Sequence, residues 1–254
     1  MHRFYISPQN WNPDELILTG SEAHHARDVL RLKSGGRIVV FNGRGREITA
    51  EVVDLKKSAV SLRKLHESET APLRCRIALV QAIPKGKNME LIVQKAVELG
   101  ATEIFPIISE RTIVDLDQKE AAQKEAKWQT VAIEAAKQCG QNWLPQVHPP
   151  QKLKQFFETA PNASVANTPA PLQLIGSLQP GAVHLKKILT DYSSEHGRSP
   201  ENVRMFIGPE GDFTPAELAL ARSHGCLPIT LGPIVLRVET AAIYCLSVLA
   251  YELF

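Results

Sequence analysis

The sequence predicts an α/β protein in which a short β-rich unit precedes a longer domain of alternating strands and helices. Three observations carry this. Residues 37–41 (RIVVF), 48–54 (ITAEVVD) and 59–65 (AVSLRKL) are short, β-branched-rich runs separated by the turn signals Asn42-Gly43-Arg44-Gly45 and Lys56-Lys57-Ser58. From residue 77 onward, near-continuous apolar runs alternate with segments of helical spacing, the pattern of a parallel sheet buried on both faces. In the last quarter, residues 205–252, two glycine- and proline-containing loops (207–213 and 231–236) each leave an apolar strand and enter a helix. The carboxyl ends of strands are where open α/β sheets bind ligands, so the two loops are expected to share one pocket.

The elements follow in order. The β-rich unit, residues 1–70, reads as a small antiparallel barrel. It is interrupted by a helix at 21–32 (SEAHHARDVLRL), with Ser21 as N-cap and Ala23, Ala26, Val29 and Leu30 on its apolar side. His24, His25, Arg27 and Arg31 lie on the same helix, as a solvated polar face or as a basic edge for RNA phosphates. The polar, proline-terminated stretch 66–72 reads as a linker, and the second domain as residues 71–254. That domain opens with a buried strand at 77–83, a basic loop Pro84-Lys85-Gly86-Lys87, and a helix through Met89, Ile92, Val93, Ala96 and Val97 that stops at Gly100. A strand at 103–108 completes a βαβ unit.

The longest helix is expected from Asp117 to Cys139, opened by an Asp-x-x-Glu capping box with Glu120 and ended by Gly140. Ala121, Trp128, Ala132, Ala135 and Cys139 form its core stripe. Its polar end, 134–142, is either an ordinary helix terminus or a rim of the pocket. A short helix at 151–157 and a short strand at 163–166 follow, and 167–197 gives only turn signals at Pro169, Pro171, Pro180 and Gly181. A strand at 203–207 leads to Thr214-Pro215-Ala216-Glu217, with Thr at N-cap, Pro at N1 and Glu at N3, and Gly225 ends that helix. The strand 227–231 and a final helix from about Glu239 close the chain. Ala242, Cys245, Leu246 and Leu249 line the buried side of that helix, which is apolar nearly all round and so is buried between elements or in a subunit interface.

Composition narrows the function classes. Hydrophobic residues at 44% and charged residues at 22% are those of a soluble globular chain. No uninterrupted run of about 18 apolar residues exists, so no membrane association is expected. The start, MHRFYISPQNWNPDE, lacks a secretory core, and the four cysteines are scattered without a CxxC pair, which points to reduced thiols in the cytoplasm. A net charge of +2 does not announce a nucleic-acid binder, and residues 1–70, with 11 Lys/Arg against 9 Asp/Glu, carry only a weak positive bias. No metal-ligand spacing and no Ser–His–Asp or Cys–His arrangement stands out.

Gly208-Pro209-Glu210-Gly211 lacks both the phosphate-loop ending and the dinucleotide fingerprint, so it is either a backbone cradle for a flat ligand or a tight strand-to-helix turn. Leu236-Arg237-Val238-Glu239-Thr240 sits at a helix entrance. Arg237 and Glu239 there form a local ion pair, or place a cation and a carboxylate where proton-coupled transfer chemistry uses them.

IGPEGDFTPAEL followed by LGPIVLRVETAA resembles the paired signature of the small-subunit (16S) rRNA uracil-N3 methyltransferase E family, of the SPOUT class of trefoil-knotted methyltransferases. The likeness extends over nearly the whole chain, through HHARDVLRL, IPKGKNMELIVQKAVELGATEIFPIISERT and AIEAAKQCGQNWLPQV. The resemblance implies an N-terminal PUA-like β-barrel that binds RNA and a C-terminal SPOUT α/β domain with a deep trefoil knot and a parallel sheet. It implies S-adenosylmethionine (S-adenosyl-L-methionine) as cofactor, a homodimer, and as substrate one uracil of 16S rRNA, methylated at N3 in the assembled small ribosomal subunit. Ile207, Gly208, Pro209, Glu210 and Gly211 match the first cofactor loop; Leu231, Gly232 and Leu236 match the second. Arg237, Glu239 and Thr240 match the element beside the target base, with Glu239 read as a brace for Arg237 rather than as the proton acceptor. Arg3, His24, Arg27, Arg31, Lys85 and Lys87 are the expected RNA contacts. Asp212 departs from the usual second glycine of the first loop, and Ile234 stands where arginine is common. Two other readings stay open, a non-catalytic RNA-binding module of the same fold and a small-molecule α/β enzyme with a nucleotide pocket.

Overall fold

The computed structural model describes residues 1–112, 116–159 and 170–254. The strand expected at 163–166 lies outside these residues. The chain divides into two compact units: Met1–Pro72 with Ile133–Leu144, and Leu73–Ala132 with Pro145–Phe254.

In the first unit, β1 (Arg3–Tyr5), β2 (Leu16–Thr19), β3 (Arg37–Phe41), β4 (Arg46–Leu55) and β5 (Ala59–Glu69) form one sheet in the order β1-β3-β4-β5-β2. The sheet is not purely antiparallel as expected, because β1 runs parallel to β3. Two register shifts in the β4–β5 ladder, at Thr49/Ala50 and Val52/Asp54, add local twist and curl the sheet about its core. Phe4, Leu18, Ile38, Val40, Ile48 and Val60 fill that core. The stretch read as a linker is half strand, since β5 continues to Glu69, opposite Arg46, and the Arg46 guanidinium pairs with the Glu67 carboxylate.

The helix expected at 21–32 is α1 (Gly20–His24) followed by a π-helical turn, His25–Val29. Thr19, not Ser21, holds the N-cap position. In the π turn the Leu30 N–H bonds the His25 carbonyl at 2.9 Å, five residues back. The extra residue rotates the face, so Ala23 and Ala26 stay buried and Val29 is turned out to solvent, against expectation.

The second unit is a wholly parallel sheet of β6 (Arg76–Ala82), β7 (Glu103–Ile108), β8 (Gln146–Val147), β9 (Gln151–Lys152), β10 (Leu172–Gly176), β11 (Val183–His184), β12 (Asn202–Ile207) and β13 (Leu227–Thr230). Its order is β11-β13-β10-β12-β6-β7-β8, with β9 also on β7. Around it lie α2 (Asn88–Glu98), α3 (Gln118–Cys139), α4 (Leu153–Thr159), α5 (Leu185–His196), α6 (Pro215–Ser223) and α7 (Val238–Leu253). Val80, Ala82, Ile175 and Phe206 pack with Phe156 and Phe157 of α4 and Leu218 and Ala221 of α6. Alternate strand residues point the other way, and Ile77, Leu79 and Met205 are equally buried, with α7 against β6, β12 and α2. This packing buries the side of α7 that carries Ala242, Cys245, Leu246 and Leu249, as expected. Among the described residues no helix is long and apolar enough to cross a membrane.

The local signals hold well here. Asp117 and Glu120 exchange both capping bonds, at 2.7 and 3.1 Å. On α3, Trp128, Ala132 and Ala135 are buried as expected, joined by Ala136. Cys139, expected in that stripe, is exposed at the last helical residue, where the chain turns away at Gly140 (φ 79°). The polar end of the helix is neither a plain terminus nor a pocket rim. The Asn142 side chain accepts from Arg3 Nη2 at 2.6 Å and donates to Glu47 and Thr70 at 3.0 and 2.9 Å. Lys137, nearly buried, bonds Glu22 and Glu134 at 3.0 and 2.8 Å. Burial alone would lower its pKa, but the two carboxylates outweigh that and hold it above its ordinary value.

Candidate active site

Because β10 lies between β12 and β13, the loops at their carboxyl ends are neighbours. They enclose a cleft of about 840 Å³, a size that suits a small-molecule ligand. Residues 176–182 enter it from β10, 207–210 and Asp212 from β12, and 230–239 from β13 into α7, with Asn88 joining from the start of α2. Its lining combines small or backbone-rich positions (Gly176, Gly181, Gly208, Gly232) with the apolar side chains of Ile207, Leu231, Val235 and Leu236.

The β12 loop is tightly built. Asp212 N–H donates to the Pro209 carbonyl at 2.9 Å, closing a turn in which Asp212 itself takes a positive φ of 60°. Asp212, the departure noted from sequence, therefore adopts the conformation a glycine would supply, which aspartate tolerates better than most side chains. A Cβ on Gly208 would meet Phe213 Cδ2 at 3.2 Å and Phe213 N at 3.3 Å, so a side chain there would crowd the loop and glycine relieves it. Phe213 is buried, and Thr214 then caps α6: its hydroxyl accepts from Glu217 N–H at 3.2 Å, while Glu217 Oε2 accepts from Thr214 N–H at 2.9 Å. Neighbouring loops hold this one in place. Lys85 N–H donates to Glu210 Oε1 at 2.9 Å, Glu110 N–H donates to Glu217 Oε1 at 2.9 Å, and the Arg111 guanidinium donates to the Gly211 carbonyl.

The loop from β13 turns at Gly232 (φ 111°), a conformation open in practice only to glycine, and exposes Ile234 and Val235. Arg237 is the N-cap residue of α7, and its carbonyl accepts the Ala241 N–H at 2.8 Å. Of the residues assigned to the cofactor or the base, Ile207, Gly208, Pro209, Glu210, Leu231, Gly232, Leu236, Arg237 and Glu239 line the cleft. Gly211 and Thr240 do not; Gly211 lies under the Arg111 side chain, and Thr240 is exposed on the first turn of α7. Among the described residues Arg237 and Glu239 form no ion pair. Glu239 Oε2 instead accepts from Asn88 Nδ2 at 3.3 Å, so the brace expected for Arg237 is directed at α2.

Lys85 and Lys87 are exposed on the loop leading to α2. In the first unit Arg31 is exposed, while His24 and Arg27 both bond Asp28, at 2.5 and 2.6 Å. Arg3, expected at an RNA-facing edge, is committed inward: it bonds Glu47 at 2.7 Å and lies over the Phe41 ring. Sequence reading missed 176–182 and Asn88. Pro180-Gly181 was the one signal for the former, and Asn88 had none.

An α/β domain with a glycine-containing cleft at its strand ends, matched over residues 71–250 by a family profile described as RNA methyltransferase domain, is of the RNA methyltransferase class. A second profile, RNA methyltransferase PUA domain, matches residues 18–65. The ribosomal RNA small subunit methyltransferase E of Bacillus subtilis (strain 168) is 30% identical, over 99% of this chain and 97% of the relative. A ribosomal RNA small subunit methyltransferase E from Neisseria gonorrhoeae, solved bound to S-adenosyl methionine, superposes with a TM-score of 0.83 at 32% identity, covering 99% of this chain and 98% of the other. A putative methyltransferase from Legionella pneumophila in complex with SAM gives 0.84 at 36% identity, covering 98% and 97%. The chain belongs to the ribosomal RNA small subunit methyltransferase E family.

Proposed function

We propose that the protein uses S-adenosylmethionine to methylate N3 of a specific uridine in 16S rRNA, acting on the assembled small subunit in the cytoplasm. The observation that carries this reading is the cleft, in which an exposed arginine and a carboxylate stand beside loops of open backbone. That lining fits the cofactor: backbone groups of 176–182, 207–210 and 231–236 can read an adenosine, and the apolar side chains of Ile207, Leu231 and Leu236 can flank it. When bound, the cofactor supplies an electrophilic sulfonium methyl group.

The chain's own residues address the other half of the problem. Uracil N3 carries a proton between two carbonyls, and it becomes nucleophilic as that proton passes to solvent water at the open cleft. Arg237, exposed at the cleft, stabilises negative charge developing on the uracil oxygens. Glu239, held by Asn88, fixes the entrance of α7 and thereby the position of Arg237, with the carboxylate also favoured at a helix N-terminus. Holding N3 in line with the methyl group supplies much of the remaining rate. Lys85, Lys87, Arg31 and the His24–Arg27 edge contact RNA phosphates. The return of the chain from β13 to α7 past the loops of β10 and β12 supports a knotted path of the SPOUT kind. Tyr244 and Tyr251, exposed on α7, support a homodimer through that helix.

The test is mass spectrometry of 16S rRNA from cells lacking the gene and complemented with variants. The reading requires loss of one N3-methyluridine, restored by the wild type and not by Arg237→Ala, with calorimetric binding of S-adenosylmethionine intact in that variant. Full methylation by Arg237→Ala would remove the residue from the mechanism. Glu239→Gln keeps the bond to Asn88 and should retain most activity; its complete loss would make Glu239 the proton acceptor.

A further inference from the structure

We infer that Asp212 is a positioning residue for the cofactor cleft, a strut through which the β12 loop holds the β10 loop in its binding conformation. The inference rests on the reading of the cleft as a S-adenosylmethionine site. Four observations converge on it. Asp212 lies in the left-handed region (φ 60°), and its surface is only partly exposed. One carboxylate oxygen, Oδ1, accepts from the Phe213 N–H at 2.8 Å and fixes the residue against its own loop. The other, Oδ2, accepts from the Leu178 N–H at 3.2 Å, on the loop that leaves β10. Both loops line the same cleft, and Leu178 is otherwise 65% exposed, so it has little burial of its own to hold it.

The consequence is specific to a carboxylate. Glycine at position 212 would keep the turn and lose both side-chain bonds. Asparagine tolerates the same φ, but in the same rotamer its NH2 group takes the place of one carboxylate oxygen and faces the N–H of Phe213 or Leu178 donor to donor. A charge-assisted bond to a backbone amide is also stronger than a neutral one. Ser177 supports the same loop locally, its hydroxyl accepting from the Gln179 N–H at 3.1 Å, but this contact does not reach β12. Asp212 is thus the link that lets residues 177–182 and 207–212 present their backbone groups as one surface before the ligand arrives.

The test compares wild type, Asp212→Gly and Asp212→Asn by hydrogen exchange of the ligand-free protein and by calorimetric titration with S-adenosylmethionine. Faster exchange at 177–182 is expected in both variants, with α6 amides unchanged as the internal control. Cofactor affinity should fall roughly tenfold, about the value of one charge-assisted bond. Wild-type exchange in 177–182 in both variants would overturn the strut, and so would weakened affinity without faster exchange, which would indicate a direct contact of the carboxylate with the ligand. Failure of the wild type itself to bind S-adenosylmethionine would refute the functional reading instead, and the exchange comparison would still decide the strut.

Discussion

Replacing Glu217 with alanine tests whether the wall of the cleft depends on a junction beneath it. Glu217 is buried, yet it has no cationic partner among the described ion pairs. Its charge is met by backbone amides instead: Oε2 accepts from Thr214 N–H and Oε1 from Glu110 N–H, both at 2.9 Å. The first bond completes the cap of α6, and the second ties the loop after β7 to that cap. Hydrogen bonds to a charged group contribute about 1.5–3 kcal/mol each. The carboxylate's own burial cost is relieved by the substitution, so the net loss is smaller than the sum, about 2–4 kcal/mol. Urea unfolding should therefore show a lower midpoint with an unchanged slope, and hydrogen exchange should speed up in both α6 and residues 109–112. If Glu217→Ala shifts stability by less than about 0.5 kcal/mol, the range of an ordinary surface change, the junction is not what holds the loop.

Three further outcomes follow from the same contacts. Gly208→Ala puts a methyl within 3.3 Å of the Phe213 backbone nitrogen, so it should cost about 1–3 kcal/mol and weaken S-adenosylmethionine binding in calorimetry; normal stability and affinity would contradict the tight approach. The Glu103 carboxyl is held below its ordinary value, chiefly by the hydrogen bond from His148 at 3.2 Å, with burial opposing and Arg76 and Arg204 assisting. A depressed folded-state value means its contribution is complete above the ordinary carboxylate pKa and is lost as pH falls through the depressed one, so Glu103→Gln should flatten the acid limb of the stability profile and leave the limb above pH 7 unchanged. Burial pushes the thiols of Cys75, Cys226 and Cys245 up to about 12, so an aromatic disulfide reagent at about pH 8 should titrate Cys139 alone in the native protein and all four cysteines in denaturant.

What the sequence disclosed divides along the range of the interactions involved. The Thr214–Glu217 cap, the Asp117–Glu120 cap and the stop at Gly100 are each written within four residues, and the folded chain shows all three. The buried strand at 77–83 was equally readable, because a strand covered on both faces has no polar side to confuse the pattern. The π turn at 25–29 was not, since its composition is that of an α-helix and only the hydrogen-bond register differs. Arg3 misled for a related reason. A basic residue near a basic helix reads as surface, while the partner that turns it inward, Asn142, is 139 positions away.

The candidate site follows the same division, with a consequence for its chemistry. Its backbone component is local: close approach favours glycine at 208 and a positive φ requires it at 232, and each was legible from its own loop. Its side-chain component is assembled over long separations. Asn88 reaches Glu239 across 151 positions, and Asp212 reaches Leu178 across 34. A motif can therefore identify the surface that cradles the ligand, but the groups that set the orientation of α7 and of the β10 loop depend on which strands become neighbours. β10 brings 176–182 into the cleft only because it inserts between β12 and β13, a placement decided by parallel pairing and by no residue within β10 alone. Substitution of Asn88, which lies outside both signature motifs, should alter the entrance of α7 while leaving the motifs intact, so the motifs report the reaction class and the long-range contacts report how well this chain is tuned for it.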